Sequence, residues 1–232
     1  WYLDAIAREW DGLIENNYES VMPLVYRENW LQKKELHQPD LIRELGIYSV
    51  NVLSPQRIQA FLDAIPEEYK HWEIAFNEKN RAVQELDFSV EKYTNYYLDV
   101  SRSYEDISAD YSAELLRELG KAEEANYAVS GGFKPERLAD FYKKHTTHSN
   151  QVAENFHGVQ RIMYNALHRG SGFASGVINE KQEYLACGFF IFSHGKIMRL
   201  LSNVSPRGKK MGANTLLFDM LIRSNAGRPV LL

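Results

Sequence analysis

Between Gly172 and Val204 the chain carries three apolar runs of strand length separated only by turns: Gly172 to Ile178, Tyr184 to Phe192 and Ile197 to Val204. Asn179-Glu180-Lys181-Gln182 and Ser193-His194-Gly195 are too short to hold a crossover, so the runs must pair as antiparallel neighbours. A helix follows, Ala213 to Ala226, with Ala213, Leu216, Leu217, Met220 and Leu221 on one stripe. Upstream, a short strand (Asn126 to Ser130) ends at Gly131-Gly132. A Pro-started helix runs from Pro135 to His145 with Leu138, Phe141 and Tyr142 on one face. A second helix, Asn150 to His168, places Val152, Phe156, Val159, Met163 and Ala166 at helical spacing. With the apolar Pro229 to Leu232 the order is strand, helix, helix, three antiparallel strands, helix, strand.

The junction between the third run and the last helix is Ser205-Pro206-Arg207-Gly208-Lys209-Lys210-Met211-Gly212-Ala213-Asn214. A basic, Gly-containing loop before a helix start suits a phosphate group, because unbonded N–H groups and the helix dipole both favour negative charge there. The competing reading is a solvated basic turn before an ordinary surface helix. Asn203 and Ser205 interrupt the apolar strand at its end; they either line a site or close the strand and cap the turn.

The first half reads as a diverged copy of the same plan. Gly12 to Glu19 resembles Gly176 to Tyr184, and each continues into an apolar strand, Val21 to Tyr26 in the first case. A strand from Leu45 to Leu53 follows, then a helix with Ile58, Phe61, Leu62 and Ile65 on one face. Strands around Trp72 to Phe76 and Tyr93 to Val100 complete that half. Its helix opens on Ser54-Pro55-Gln56-Arg57, an N-cap plus Pro start with no glycine and little positive charge, so this half is expected to hold no phosphate group. Tyr104 to Ala125 is a charged helical segment, in one piece or two.

Other candidates read as structural. Cys187 sits in an uncharged run and is expected to be a buried small hydrophobe. His145 and His148 are three apart but fall in a loop, and no Asp, Glu or Cys completes a metal pattern around any of the seven histidines. His194 belongs to a turn. Glu114, Glu118, Glu123 and Glu124 read as the solvated face of a helix, and Tyr93, Tyr96 and Tyr97 as core packing. The net charge of −4 argues against a general nucleic-acid binder and leaves room for a local basic patch. No apolar run reaches the roughly 18 to 20 residues that cross a bilayer, and no signal peptide is visible, so a cytoplasmic protein is expected. The chain opens on Trp1 and stops inside a strand pattern, and it reads as a segment of a longer protein.

The element order of the second half resembles the GNAT acyltransferase fold, with the basic loop at that fold's pyrophosphate-binding position. More specifically, the whole chain resembles the tandem-GNAT, FemAB-like group and its Bacteroidetes acetyltransferase-like relatives. Arg117-Glu118-Leu119-Gly120-Lys121-Ala122 is similar to that group's Arg-x-Leu-x-Lys-Ala helix. Val21-Met22-Pro23-Leu24, Gln38-Pro39 and Glu44-Leu45-Gly46-Ile47-Tyr48-Ser49 carry the rest of the likeness. The resemblance implies an α/β (α+β) protein of two GNAT-like lobes, each a mixed, mostly antiparallel sheet flanked by helices. They would span 1–101 and 126–232, joined by a helical segment at 102–125, with the second lobe cut short at Leu232.

It further implies an N-acyltransferase that takes an acyl-CoA co-substrate and transfers to a small-molecule or peptide amine, with no metal. Val204, Arg207, Lys209, Lys210, Met211, Gly212, Ala213 and Asn214 would hold the donor. Asn203, Val204 and Ser205 would lie nearest its thioester, which a backbone N–H of the splayed strand would polarise. The loop departs from the family's Arg/Gln-x-x-Gly-x-Gly/Ala pattern, with Lys209 and Asn214 at its outer positions; Gly212 is kept where backbone would approach the ligand. Two alternatives follow. One is a Fem-type transferase taking an amino acid from aminoacyl-tRNA, with the acidic net charge, Glu114 and Glu118 against it. The other is a catalytically silent GNAT-like protein that binds a ligand or partner.

Overall fold

The computed structural model describes residues 1–7, 9–85, 89–146 and 155–232. Internal contacts divide the chain into two compact units, Trp1–Thr94 and Asn95–Leu232. Each is a mixed sheet flanked by helices, the α+β class expected from the pattern.

In the second unit β6 (Ala128–Gly131), β7 (Gly172–Ile178), β8 (Tyr184–Ser193) and β9 (Lys196–Val204) form an antiparallel sheet in chain order. The tip joining β8 to β9 is the pair His194 and Gly195, both at positive φ (49° and 72°), the two-residue turn that matches strand twist. Beyond β9, Leu231 bridges Lys196 in parallel and Asp99 antiparallel, so the short segments 230–232 and 98–100 extend the sheet. β8 is buried along seven consecutive residues because both its faces are covered. On one face Phe190 meets Phe218 of the last helix at 5.9 Å between ring centroids. On the other, Phe189 and Ala166 crowd Gly172 so closely that a methyl there would lie 2.8 and 2.6 Å from them.

The helices of this unit are α3 (Tyr104–Ala109), α4 (Ala113–Glu124), α5 (Pro135–His145), α6 (Phe156–His168), α7 (Pro206–Lys210) and α8 (Ala213–Asn225). Ser103 and Ser112 cap α3 and α4, their hydroxyls accepting from the N–H groups of Asp106 and Leu115. The charged segment after Tyr104 is therefore two helices, and it lies within the second unit. α4 and α8 bury Leu119, Ala122, Ala213, Leu216 and Leu217 against Val177, Leu185 and Ala186. Val152, His148 and the expected start of the second helix at Asn150 lie outside the described residues.

In the first unit β1 (Glu9–Glu15), β2 (Ser20–Glu28) and β3 (Lys34–Leu36) are antiparallel, β5 (His71–Trp72) joins β3 in parallel, and β4 (Tyr48–Ser49) pairs with the start of β2. The first helix, α1, spans Tyr2–Ile6. α2 (Pro55–Asp63), capped by Ser54, packs Ile58, Phe61 and Leu62 on Met22, Leu24, Leu36 and Ile47.

Two expected strands fail here for identifiable reasons. Of Leu45 to Leu53 only β4 and a Leu45–Phe76 bridge survive. Gly46 turns the backbone to φ +77°, and buried side chains replace a partner strand. The Asn77 amide donates to the carbonyls of Leu45 and Ile47; Asn80 donates to the Ile47 carbonyl and accepts from its N–H. Of the run from Tyr93 to Val100 only residues 98–100 pair, with 230–232, and residues from Asn95 onward belong to the second unit. Its tyrosines are not core: Tyr93 is 85% and Tyr96 88% exposed, and Tyr97 stacks beneath the Lys196 ammonium, 4.4 Å from its ring centroid. Adjacent aromatics in an extended chain point to opposite sides, so one-sided burial cannot take them all. β3 escaped notice because Lys34-Glu35-Leu36 carries no apolar run.

On the helix-facing side of the first sheet, Arg57 of α2 pairs with Glu15, and Ser20 donates to Glu15 at 2.7 Å. Arg57, then Ser20, hold the Glu15 carboxyl below the usual carboxylate range. A depressed carboxylate stabilises the fold above its unfolded pKa and stops doing so as pH falls through its folded one. Arg57→Met is expected to melt below the parent protein at neutral pH, with the gap closing below about pH 4. Thermal melts across that range check it; a pH-independent gap would mean Arg57 acts through packing alone.

Candidate functional site

The candidate site is the end of the second sheet where β9 runs into α7, and its shape starts from a β-bulge. Val177 pairs with Ala186 but Ile178 with Tyr184, so Leu185 is the extra residue on β8. Its carbonyl is turned toward the end of β9, where it accepts from the Ser205 N–H at 2.8 Å and from the Ser205 hydroxyl at 3.1 Å. Ser205 in turn accepts from the Gly208 N–H at 3.0 Å, and Pro206 stands at the first helical position. The basic loop therefore closes into the short helix α7. A methyl on Gly208 would lie 2.3 Å from the Leu185 oxygen, so this glycine is required by chain-to-chain approach.

Gly212 is a second close approach. It adopts φ +70° before α8, and a methyl there would lie 2.1 Å from the Glu118 carbonyl of α4. The loop pattern predicts a ligand at this close approach; the backbone of α4 is there. Glu118 is also not part of a solvated face, because its carboxylate accepts from the Thr215 hydroxyl in the first turn of α8. A carboxylate at a helix N-terminus is electrostatically favourable, and it occupies the field a pyrophosphate would use. Ala213 is fully buried and Asn214 and Met211 are half-buried.

The strand-end residues are turned to internal use. Asn203 donates from Nδ2 to the Tyr142 carbonyl (3.2 Å) and to the Thr146 hydroxyl (3.0 Å), pinning β9 to the end of α5. Its Oδ1 accepts from the Val204 N–H at 2.8 Å. The N–H groups of Val204 and Ser205, expected nearest a donor carbonyl, both have partners inside the fold.

What faces outward is cationic. Arg207, Lys209 and Lys210 are exposed on α7, and among the described residues none has an ion-pair partner. Through Asn203 the last turn of α5 lies alongside, with exposed Lys143 and Lys144. Charge is unevenly shared along the chain: residues 95–232 hold 17 Lys and Arg against 14 Asp and Glu, net +3, while 1–94 hold 10 against 17, net −7. The overall −4 conceals this, and only the division into units brings it out.

The remaining candidates resolve simply. Cys187 is buried, and burial pushes its thiol up to about 12, so it packs as a hydrophobe. His194 is exposed at the hairpin tip, its ring 2.7 Å from the Ser193 hydroxyl. His145 lies against Phe141, and burial, then Lys144, push its pKa down. Among the described residues no three His, Cys, Asp or Glu side chains are grouped as metal ligands, and no helix is long and apolar enough to cross a membrane.

One constellation escaped the sequence entirely. Asp219, 4% exposed in the middle of α8, accepts from the hydroxyls of Tyr104 (2.8 Å) and Tyr111 (2.9 Å), with Arg223 at 3.7 Å. The signal is an acid three residues from Leu216, beside the apolar stripe of α8; its two tyrosine partners lie more than a hundred residues away.

No family model and no curated protein matches this sequence. Solved structures do resemble it. FemX superimposes with a TM-score of 0.64 at 10% identity, over 97% of this chain and 79% of that one. A conserved protein of unknown function from Bacteroides thetaiotaomicron gives 0.60 at 9% identity, over 99% and 77%. L-PGS from Bacillus licheniformis gives 0.53 at 12% identity, over 96% and 70%. The likeness spans both units and is one of fold.

Gly212→Ala tests the close approach. It is expected to cost at least about 2 kcal/mol, since a side chain at positive φ and a methyl inside van der Waals contact of backbone are both unfavourable. Urea unfolding measures it; an unchanged midpoint would place Gly212 in open space.

Proposed function

We propose that this chain is a Fem-type acyltransferase whose second unit takes its acyl group from an aminoacyl ester on RNA and passes it to an amine. The amine nitrogen attacks the ester carbonyl, the C–N bond forms as the C–O bond breaks, and the amine proton leaves with the released ribose oxygen. The observation that carries this reading is the unpaired, exposed set Arg207, Lys209 and Lys210 on a helix whose backbone is closed inward. A coenzyme pyrophosphate needs an open cradle of N–H groups and close access to the glycine backbone; here the Gly208 N–H donates to Ser205, and the carbonyls of Leu185 and Glu118 stand against the α-carbons of Gly208 and Gly212. A phosphodiester backbone needs only outward cations on a surface of matching sign. The positive balance of the second unit supports the same donor. The fold shared with FemX and L-PGS is compatible with it. A peptide or cell-wall precursor amine is the acceptor class this reading takes from the resemblance.

The acyl-CoA donor remains an outcome of the same test, as does a protein that binds without turnover. Anisotropy titrations with aminoacylated tRNA should show affinity falling with salt. Lys209→Gln together with Lys210→Gln should lower the log–log slope by about 1.5, each lost phosphate contact removing about 0.7 to 0.9. Acetyl-CoA at millimolar concentration should leave the melting temperature unmoved. A melting shift with acetyl-CoA and none with tRNA would replace this donor by the coenzyme. RNA binding without transfer to any amine would leave a binding protein.

A further inference from the structure

A second site lies away from the β9–α7 end. α3, α4 and the last turns of α8 enclose an open hollow of about 410 Å³. Its lining includes Leu116 and Leu119, the carboxylate-bearing Glu105 and Glu123, and Tyr104 with Arg223. Arg223 is held in place from behind. Its Nη2 donates to the Tyr104 hydroxyl at 2.9 Å and stands 3.7 Å from the buried Asp219 carboxylate, and its guanidinium lies 4.4 Å from the Tyr104 ring centroid. Asp219 is fixed in turn by Tyr104 and Tyr111. Among the described residues Nε and Nη1 of Arg223 have no hydrogen-bond partner, and neither Glu105 nor Glu123 forms an ion pair, although the Glu123 charge is near enough to act on Arg223.

This combination selects by charge. A carboxylate suits the unspent edge of a preorganised guanidinium, which binds carboxylate oxygens in pairs. Two glutamates on the same rim repel a simple anion, while Arg223 repels a simple cation. A ligand carrying both charges meets neither penalty. Leu116 and Leu119 add apolar surface for a short hydrocarbon group. We infer that this hollow binds a free α-amino acid as its zwitterion, with the carboxylate on Arg223, the ammonium toward Glu105 and Glu123, and an apolar side chain on Leu116 and Leu119. The inference is independent of the donor proposed above, since it uses none of the residues of α7 or β9.

Calorimetric titration of the whole chain with L-leucine, N-acetyl-L-leucine and L-leucinamide tests it. Leucine should bind with a dissociation constant of about 1 mM or below, a range suited to a small, open site. Removing the ammonium in the acetyl compound, or the carboxylate in the amide, should weaken binding at least about tenfold, the usual scale for a lost charge-assisted contact. Arg223→Gln should weaken leucine by a similar factor. Because that change also strips a partner from Asp219, Glu105→Gln with Glu123→Gln provides a second variant away from the buried network, expected to weaken leucine and leave the acetyl compound unaffected. No heat from leucine at about ten times that concentration overturns the inference. So does equal binding of all three compounds, or an unchanged leucine affinity in the double glutamine variant.

Discussion

The Leu185 carbonyl decides the form of the whole β9–α7 end. Leu185 is the bulged residue of β8 opposite β7, and on the β9 side its oxygen collects both hydrogen bonds that Ser205 can donate. Ser205 thereby becomes an N-cap whose backbone is already fixed, and α7 closes over it with Gly208 in contact with the same oxygen. A buried carbonyl without partners would cost a kcal/mol or more, on the order of a lost hydrogen bond, so these contacts are not incidental. The outward cations of α7 go with them: Gly208 is buried against Leu185, and Arg207, Lys209 and Lys210 on the rest of the short helix are exposed.

The second constraint is α4 against the start of α8. Glycine at 212 lets the two backbones meet, and Glu118 then supplies the negative charge that a helix start favours. An internal carboxylate thus stands where the sequence pattern alone suggested a ligand's phosphate. The cations that carry the loop's expected preference for anions are exposed on its outer face, while its glycines stand against other backbone. The same two helices, with α3, leave the Arg223 hollow on their outer side, so one packing arrangement shapes both surfaces.

Much of the second unit was legible in the residues. Three apolar runs with turns of three or four residues can only be antiparallel neighbours, and β7, β8 and β9 appear within one residue of the expected bounds. The helix starts at Ser54 and Pro135 were legible as well, because those residues act locally; the same Ser-Pro signal at Ser205-Pro206 opens α7, in a segment whose glycines and cations read as a loop. The first unit was read less well. Leu45 to Ile47 satisfies its backbone through Asn77 and Asn80, thirty residues on, and no local pattern announces such a partner. β3 was missed because a strand of three mostly polar residues has no periodicity to detect.

The sequence by itself determined the three long strands of the second unit and the helices that begin at Pro135 and Ala213, the position of the basic cluster Arg207, Lys209 and Lys210, and the burial of Cys187. These depend on spacing and on residue type within a few positions. Only the tertiary structure decided what Gly208 and Gly212 approach, what Asn203 and Glu118 bind, and that Asp219 gathers Tyr104 and Tyr111. Each of those is a contact between segments distant in the chain, and its partner is set by how α4, α5 and α8 lie on the sheet. A glycine shows that something comes close; only packing shows whether that is a ligand or the chain itself.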